Sequence, residues 1–231
     1  MTTGRMLVVL AAVAIAGCDN AKTHTGTAPV QNGRATIERT ITFAQFDPGA
    51  TPPGFVVALT GGGGPVSWVV VEDSTAPNGK RALAQTSRDT TDNRFPLCVF
   101  GGISARDVQV AVRFKAVSGR VDQAAGVVVR YKDADNYYVA RANALEDNVR
   151  LYKVEGGRRV QIAGISIKVS PGQWHDLRLS ARGTHLVVTF DDKWFEADDA
   201  TFQSAGLAGL WTKADSVTHF DNLRIESHDR R

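Results

Sequence analysis

The sequence predicts an all-β protein, a two-sheet antiparallel β-sandwich, and three observations point to it. From Val108 to Ile225 the chain is an almost unbroken series of short runs rich in β-branched and aromatic residues. Gly, Asp or Asn turn chemistry bounds each run, as strands joined by tight hairpins require. No amphipathic helical pattern of comparable length competes with them.

In chain order, Met1 to Gly17 combines one cation, Arg5, with the apolar stretch Leu7–Ala16. That stretch has the size of a signal-peptide core and is too short to span a bilayer. It runs into Ile15-Ala16-Gly17-Cys18, which resembles the lipobox of bacterial lipoproteins. The resemblance implies removal of residues 1–17 and acylation of Cys18, with palmitate among the chains. The protein would then be anchored in the cell envelope, on a periplasmic or extracellular face. Asp19 resembles the signal that retains lipoproteins at the inner membrane. An ordinary secretory signal with an incidental Cys18 is the alternative. Residues 18–33 are rich in Thr, Ala, Gly and Asn without periodicity, the composition of a flexible tether. Residues 34–231 form one expected sandwich domain, because no Pro/Ser-rich linker divides them and their length suffices for one core.

Within that domain Phe55–Thr60, Val66–Glu72, Arg81–Gln85 and Phe95–Phe100 read as strands. The run Gly61–Pro65 between the first two lacks the Lys-Ser/Thr pair of a phosphate loop and reads as a flexible turn. The polar loop Ser87–Asn93 is long enough to rim a cleft. Val108–Ala116 opens the denser half. Gly126–Tyr131 and Tyr137–Asn143 are joined by Lys132–Asn136 as a hairpin. Glu155-Gly156-Gly157 joins Asn148–Val154 to Arg158–Gly164, and Asp191-Asp192 joins His185–Phe190 to Lys193–Ala197. Trp174–Ala181 and Gly206–Ile225 supply the remaining strands.

Charge and cysteine content exclude several functions. The net charge is +3 and there is no basic run or nucleic-acid-binding module, so nucleic acid is not an expected partner. Of two cysteines, Cys18 is assigned to lipid, which leaves Cys98 in the strand-like Arg94–Phe100 run as a buried, inert thiol.

Candidate ligand contacts follow from alternation along strands. If Tyr131 pairs with Tyr137, then Arg130 and Tyr138 share a face with Gly126, Val128 and Ala140, and a one-residue shift reverses this. An Arg beside small residues and a Tyr suits a concave, sugar-stacking sheet. Asn143, Glu146 and Asn148 are placed to line the end of a cleft, or simply to form an exposed turn. Near the C-terminus Gly209, Trp211 and Lys213 fall on one face, a platform with Trp211 toward the ligand. The expected ligand-binding set is therefore Arg130, Tyr138, Asn143, Trp211 and Lys213. Asp122, Glu146 and Asp215 are the carboxylates available for general acid/base work. Asp215 and Asp221, with Asn222, are the oxygen donors available to Ca²⁺, a sparse set for an ion that takes six to eight. No other cofactor is expected.

Four strings identify a relationship: the hairpin from Gly126 through Arg130, Asp133 and Asn136-Tyr137-Tyr138 to Arg141; the Trp174-His175-x-Leu177-Arg178 strand; the short hairpin around Phe190-Asp191-Asp192; and the closing Gly209–Ser216 with Phe220-Asp221-Asn222. They resemble concanavalin A-like lectin/glucanase jelly rolls, above all the laminin-G-like and 3-keto-disaccharide hydrolase-type domains of secreted bacterial proteins. The resemblance implies a carbohydrate or cell-envelope glycan as partner, bound without catalysis. It leaves two alternatives: a glycoside-active enzyme of the 3-keto-disaccharide type, and a structural or protein-interaction lipoprotein. The laminarinase pattern of paired Glu on one strand has only a partial echo at Glu196, with its second Glu missing.

Overall fold

The computed structural model describes residues 21–29 and 37–229. Cys18, Asp19 and the expected signal segment lie outside the described residues. Among those described, all regular structure is strand, arranged in two antiparallel sheets. One sheet runs β1 (His24–Thr25), β14 (Lys193–Asp198), β13 (His185–Phe190), β12 (Trp174–Arg182), β7 (Val108–Ser118), β16 (Val217–Ser227), β5 (Arg81–Gln85), β4 (Trp68–Glu72), and β2 (Ile37–Ile41) also pairs with β16. The other runs β11 (Arg158–Ser166), β10 (Asn148–Glu155), β9 (Asn136–Asn143), β8 (Ala124–Asp133), β15 (Gly206–Trp211), β6 (Arg94–Ala105), β3 (Phe55–Gly61). The all-β sandwich is therefore present.

Strand alternation builds the core between the sheets. β7 turns Val108, Val110, Val112, Phe114 and Ala116 inward, β12 turns Leu177, Leu179 and Ala181, and β8 turns Ala125, Val127 and Val129. Burying a Val or Leu of this kind contributes about 1.5–3 kcal/mol. The seven-stranded sheet also carries an apolar cluster on its outer face, from Phe95, Leu97, Val128, Tyr137, Val139, Tyr152 and Trp211. Burial on both faces explains why β8 reads as the continuous run Val127-Val128-Val129 instead of alternating.

Three expectations change. The β8–β9 hairpin turns at Ala134-Asp135, with Asp133 opposite Asn136 and Val129 opposite Tyr138, and a bulge intervenes at Arg130–Lys132. Tyr138 thus faces the core and Tyr137 the outer cluster, the reverse of the expected faces. The Gly61–Pro65 run is a built loop. Buried Arg94 donates to the carbonyls of Gly64 (3.3 Å), Pro65 (2.8 Å) and Ala214 (3.1 Å), and Gly64 N–H donates to Asp89 Oδ2. Gly63 has φ 91°, and a Cβ there would sit 2.6 Å from Arg94 Cδ, so no other residue fits. The third change concerns residues 21–29, part of the expected tether, which lie against the domain through β1 on β14.

His175 ties the Asp191 turn to the loop before β12, bonding Asp191 Oδ2 through Nδ1 (2.8 Å) and Ser170 O through Nε2 (3.0 Å). Burial lowers its pKa, but the Asp191 carboxylate and Ser170 carbonyl outweigh burial and leave it raised above 6.5. A raised folded-state pKa gives stability that is fully present below the unfolded value and lost as pH rises through the folded one. The stability gap between wild type and His175→Ala should therefore shrink from about pH 5.5 to about pH 8. Thermal unfolding of both proteins at both pH values checks this; a gap independent of pH would contradict it.

Candidate functional site

The seven-stranded sheet curls on its outer face. Thr60 on β3 hydrogen-bonds Ala134 in the β8–β9 turn and Tyr137 Oη on β9 (2.8 Å), although β6, β15 and β8 lie between β3 and β9 in the sheet. The bulge at Arg130–Lys132 lets the hairpin bend over this face. A recess of about 440 Å³ opens there, with Asp92, Phe95, Gly156, Gly157, Arg159 and Lys213 among its walls. Trp211 lies beneath the recess, behind the Phe95 and Arg159 side chains of its wall. It is fully buried, stacks on Phe95 with centroids 5.3 Å apart, and donates its Nε1–H to Tyr137 Oη at 3.2 Å. The Arg159 guanidinium lies over three rings, 4.6 Å from Tyr152, 4.8 Å from Phe95 and 5.8 Å from Trp211. Its Nη1 is buried without a hydrogen-bond partner.

Charged groups converge beside this aromatic floor because strand ends meet there: the residues before β6 and β8, the end of β9, the start of β10 and the segment after β15. Lys213 Nζ bridges Asp92 Oδ1 (2.6 Å) and Asp122 Oδ2 (2.9 Å). Buried Asn143 donates to Asp122 Oδ1 at 2.7 Å. Arg141, 1% exposed, donates to Glu146 (2.9 Å) and to Asn148, with its plane 5.6 Å from the Tyr152 ring. Burial pushes the Asp122 carboxyl up, against the pull of Lys213 and Arg141. Burial also raises Glu146, but Arg141 and Asn148 outweigh it and hold Glu146 below the ordinary range. Burial lowers Lys213, and Asp122 with Asp92 outweighs it, so the ammonium stays charged. Such a site offers guanidinium and ammonium donors and carboxylate acceptors within one concavity, above aromatic rings that the Arg159 guanidinium covers.

Of the residues expected from sequence, Trp211, Lys213, Asn143, Asp122 and Glu146 come together here. Trp211 serves as a covered floor, not an open platform, and Asn143 spends its oxygen on the Leu145 and Glu146 N–H groups, so it positions Asp122. Arg130 and Tyr138 do not join them. Arg130 sits in the bulge at φ 51° and donates to Arg106 O and Phe202 O, 2.7 Å each, between the sheets. Tyr138 Oη donates to Asp199 Oδ1 (2.6 Å) and accepts from Phe202 N–H. Both were misplaced by the register of one hairpin. Asp215 leaves the carboxylate group as well: its oxygens accept the N–H groups of Arg120, Val121 and Asp122, fixing the loop that carries Asp122. Fully buried Asp221 accepts from Asn78 N–H and Asn222 N–H. Backbone donors surround both carboxylates, the wrong environment for Ca²⁺, and no metal-ligating cluster occurs among the described residues.

Sequence reasoning missed Arg141, Tyr152 and Arg159. Arg141 follows from Asn143 by strand alternation, a usable signal. Arg159 depends on the register shift between β10 and β11 at Leu151–Tyr152, which the sequence does not mark. A second recess, about 230 Å³, lies under Thr27–Pro29 on the outer face of the other sheet, with Gln109, Arg178 and Glu226 in its walls. No Trp, Tyr or Phe lines it, so the aromatic recess is the stronger site.

No protein-family model matches the chain. Over 99 residues, 42% of this chain, it is 32% identical to a levanase from Bacillus subtilis (strain 168), of which the match spans 14%. Its structure is similar to the carbohydrate-binding module CBM66 from Bacillus subtilis, with TM-score 0.60, 23% identity, and coverage of 75% of this chain and 96% of that one. It is also similar to a Bacillus subtilis protein of galectin-like fold, with TM-score 0.50, 12% identity, and coverage of 76% and 90%. At these identities the likeness is one of fold: the chain shares the two-sheet antiparallel sandwich of these proteins.

Proposed function

We propose that the aromatic recess binds carbohydrate and that the domain is a non-catalytic recognition module, held at the cell envelope through acylated Cys18. One observation carries the reading. The Arg159–Trp211–Phe95 stack lies beside two charge pairs, Lys213–Asp122 and Arg141–Glu146. A sugar presents hydroxyls that both donate and accept. Carboxylates accept from those hydroxyls, and guanidinium or ammonium groups donate to them. The near balance of charge around the recess favours a neutral polyol over an anionic ligand. Calorimetric titration against a glycan panel that includes levan, the polymer in one relative's name, tests this. Arg159→Ala should weaken any binding at least about tenfold, since one cation–π and hydrogen-bonding contact is worth about 1.4 kcal/mol or more. Binding that survives Arg159→Ala unchanged would move the ligand elsewhere.

A second reading has a specific basis. Asp122 is pushed up and Glu146 held down, and paired carboxylates with divergent pKa values are what acid/base glycoside chemistry uses. Against it, Lys213 and Asn143 occupy both oxygens of Asp122, which is 1% exposed, so the raised carboxyl is closed to a substrate. Glu146, with Arg141 and Asn148 both on Oε2, presents only Oε1. Product analysis after prolonged incubation with the ligand separates the readings. New reducing ends that vanish in both Asp122→Asn and Glu146→Gln would make the protein an enzyme.

A further inference from the structure

Residues 21–29 bear on how the domain meets its surroundings. Thr25 and His24 pair with Lys193 and Trp194, extending the nine-stranded sheet by a strand. The His24 ring stacks on Trp194 with centroids 4.1 Å apart and planes 15° apart. Gly26 N–H donates to Asp192 O at 2.8 Å, and its φ of 102° is a conformation that suits Gly alone. Ala21 packs against the inter-sheet core. The chain is therefore fastened to the domain from Ala21 onward, and only Asp19 and Asn20 separate it from Cys18. At about 3.6 Å per residue, those three steps reach at most ~11 Å.

We propose that this strap seats the β14 edge of the sandwich against a lipid bilayer, so that the recess reads glycans presented close to the membrane surface. The proposal rests on acylation of Cys18. β14 packs against β11 across the sandwich, so the strap marks the side on which β11 contributes Arg159. The opposite side is β4 and β3. At ~4.8 Å per strand, six spacings place β3 up to roughly 29 Å farther from the anchor than β11. A free tether of the same residues would impose no such orientation. The attraction comes from the anchor, because this edge mixes Lys22 and Lys193 with Asp192, Glu196 and Asp198.

Energy transfer on the full-length acylated protein tests the orientation. Donor dyes go on Asp198→Cys, at the end of β14 toward which the antiparallel strap runs back to Ala21, and on Val56→Cys, which is 60% exposed on β3 at the far side. Cys98 is buried and does not react. Vesicles of phosphatidylethanolamine and phosphatidylglycerol carry the acceptor in their headgroups. Transfer should be strong from position 198 and several-fold weaker from position 56. Inserting a long Gly/Ser segment between Asn20 and Ala21 should abolish the difference, while hydrogen exchange keeps residues 24–26 protected in both proteins. Equal transfer from the two positions in the uninserted protein, or unprotected exchange at residues 24–26, would overturn the proposal. Mass spectrometry of the same sample separates the two failures: an unmodified Cys18 removes the anchor itself, whereas an acylated Cys18 with equal transfer removes only the orientation.

Discussion

Trp211→Ala should cost about 3–5 kcal/mol of stability and abolish ligand binding, the first because a buried Trp is removed and the second because the recess loses its floor. Trp211 has no exposed surface, stacks on Phe95, and holds Tyr137 Oη, which in turn bonds Thr60 of β3. Its loss leaves a void under Arg159 and frees the bent β8–β9 hairpin. Trp211→Phe keeps the ring contact with Phe95 and leaves Tyr137 Oη its bond to Thr60, losing only the Nε1–H donor and part of the ring, so its cost should be smaller, about 1–3 kcal/mol. Urea unfolding reads both. A Trp211→Ala midpoint equal to wild type would mean that the outer-face cluster contributes nothing to stability.

Lys213→Met should be nearly as damaging, and its rescue is informative. Asp122 is 1% exposed, and its Oδ2 has Lys213 Nζ at 2.9 Å as its ion-pair partner. Removing the ammonium alone leaves an uncompensated buried carboxylate, which costs about 3–5 kcal/mol. Adding Asp122→Asn to Lys213→Met removes that charge and should recover most of the loss, because a neutral amide still accepts from Asn143. Chemical denaturation of both single variants and the double variant gives the coupling directly. Additive losses would show that Asp122 and Lys213 do not act as a pair.

Much of the fold was legible because strand alternation and turn chemistry are local signals. His185–Phe190 and Arg81–Gln85 were bounded by turns that left no choice. β2 was not legible: its exposed residues Ile37–Thr40 carry no alternation, and only pairing with β16 makes them a strand. The site divides along the same line. Trp211 ends β15 beyond the irregularity at Gly206–Gly209, and Lys213 follows two residues later, so their common side could be read. Arg130 sits in a bulge and Tyr138 pairs with Val129 beside it; two extra residues on β8 displace the expected pairing by one, and no residue type announces it. Asp215 and Asp221 look like open carboxylates in sequence; only the fold brings the Arg120–Asp122 and Asn78 N–H groups to them. The β1 strap was missed because a Thr/Ala/Gly-rich composition describes a segment by itself and not the edge strand waiting beside it.

The most direct test of the carbohydrate-binding reading is a crystal structure of the protein with its best-binding oligosaccharide. The expected result is a sugar ring in the recess within hydrogen-bond distance of Arg159 and of Asp92 or Glu146, the carboxylates with exposed oxygens. A ligand bound elsewhere, with the Arg159–Trp211 recess empty, would contradict it.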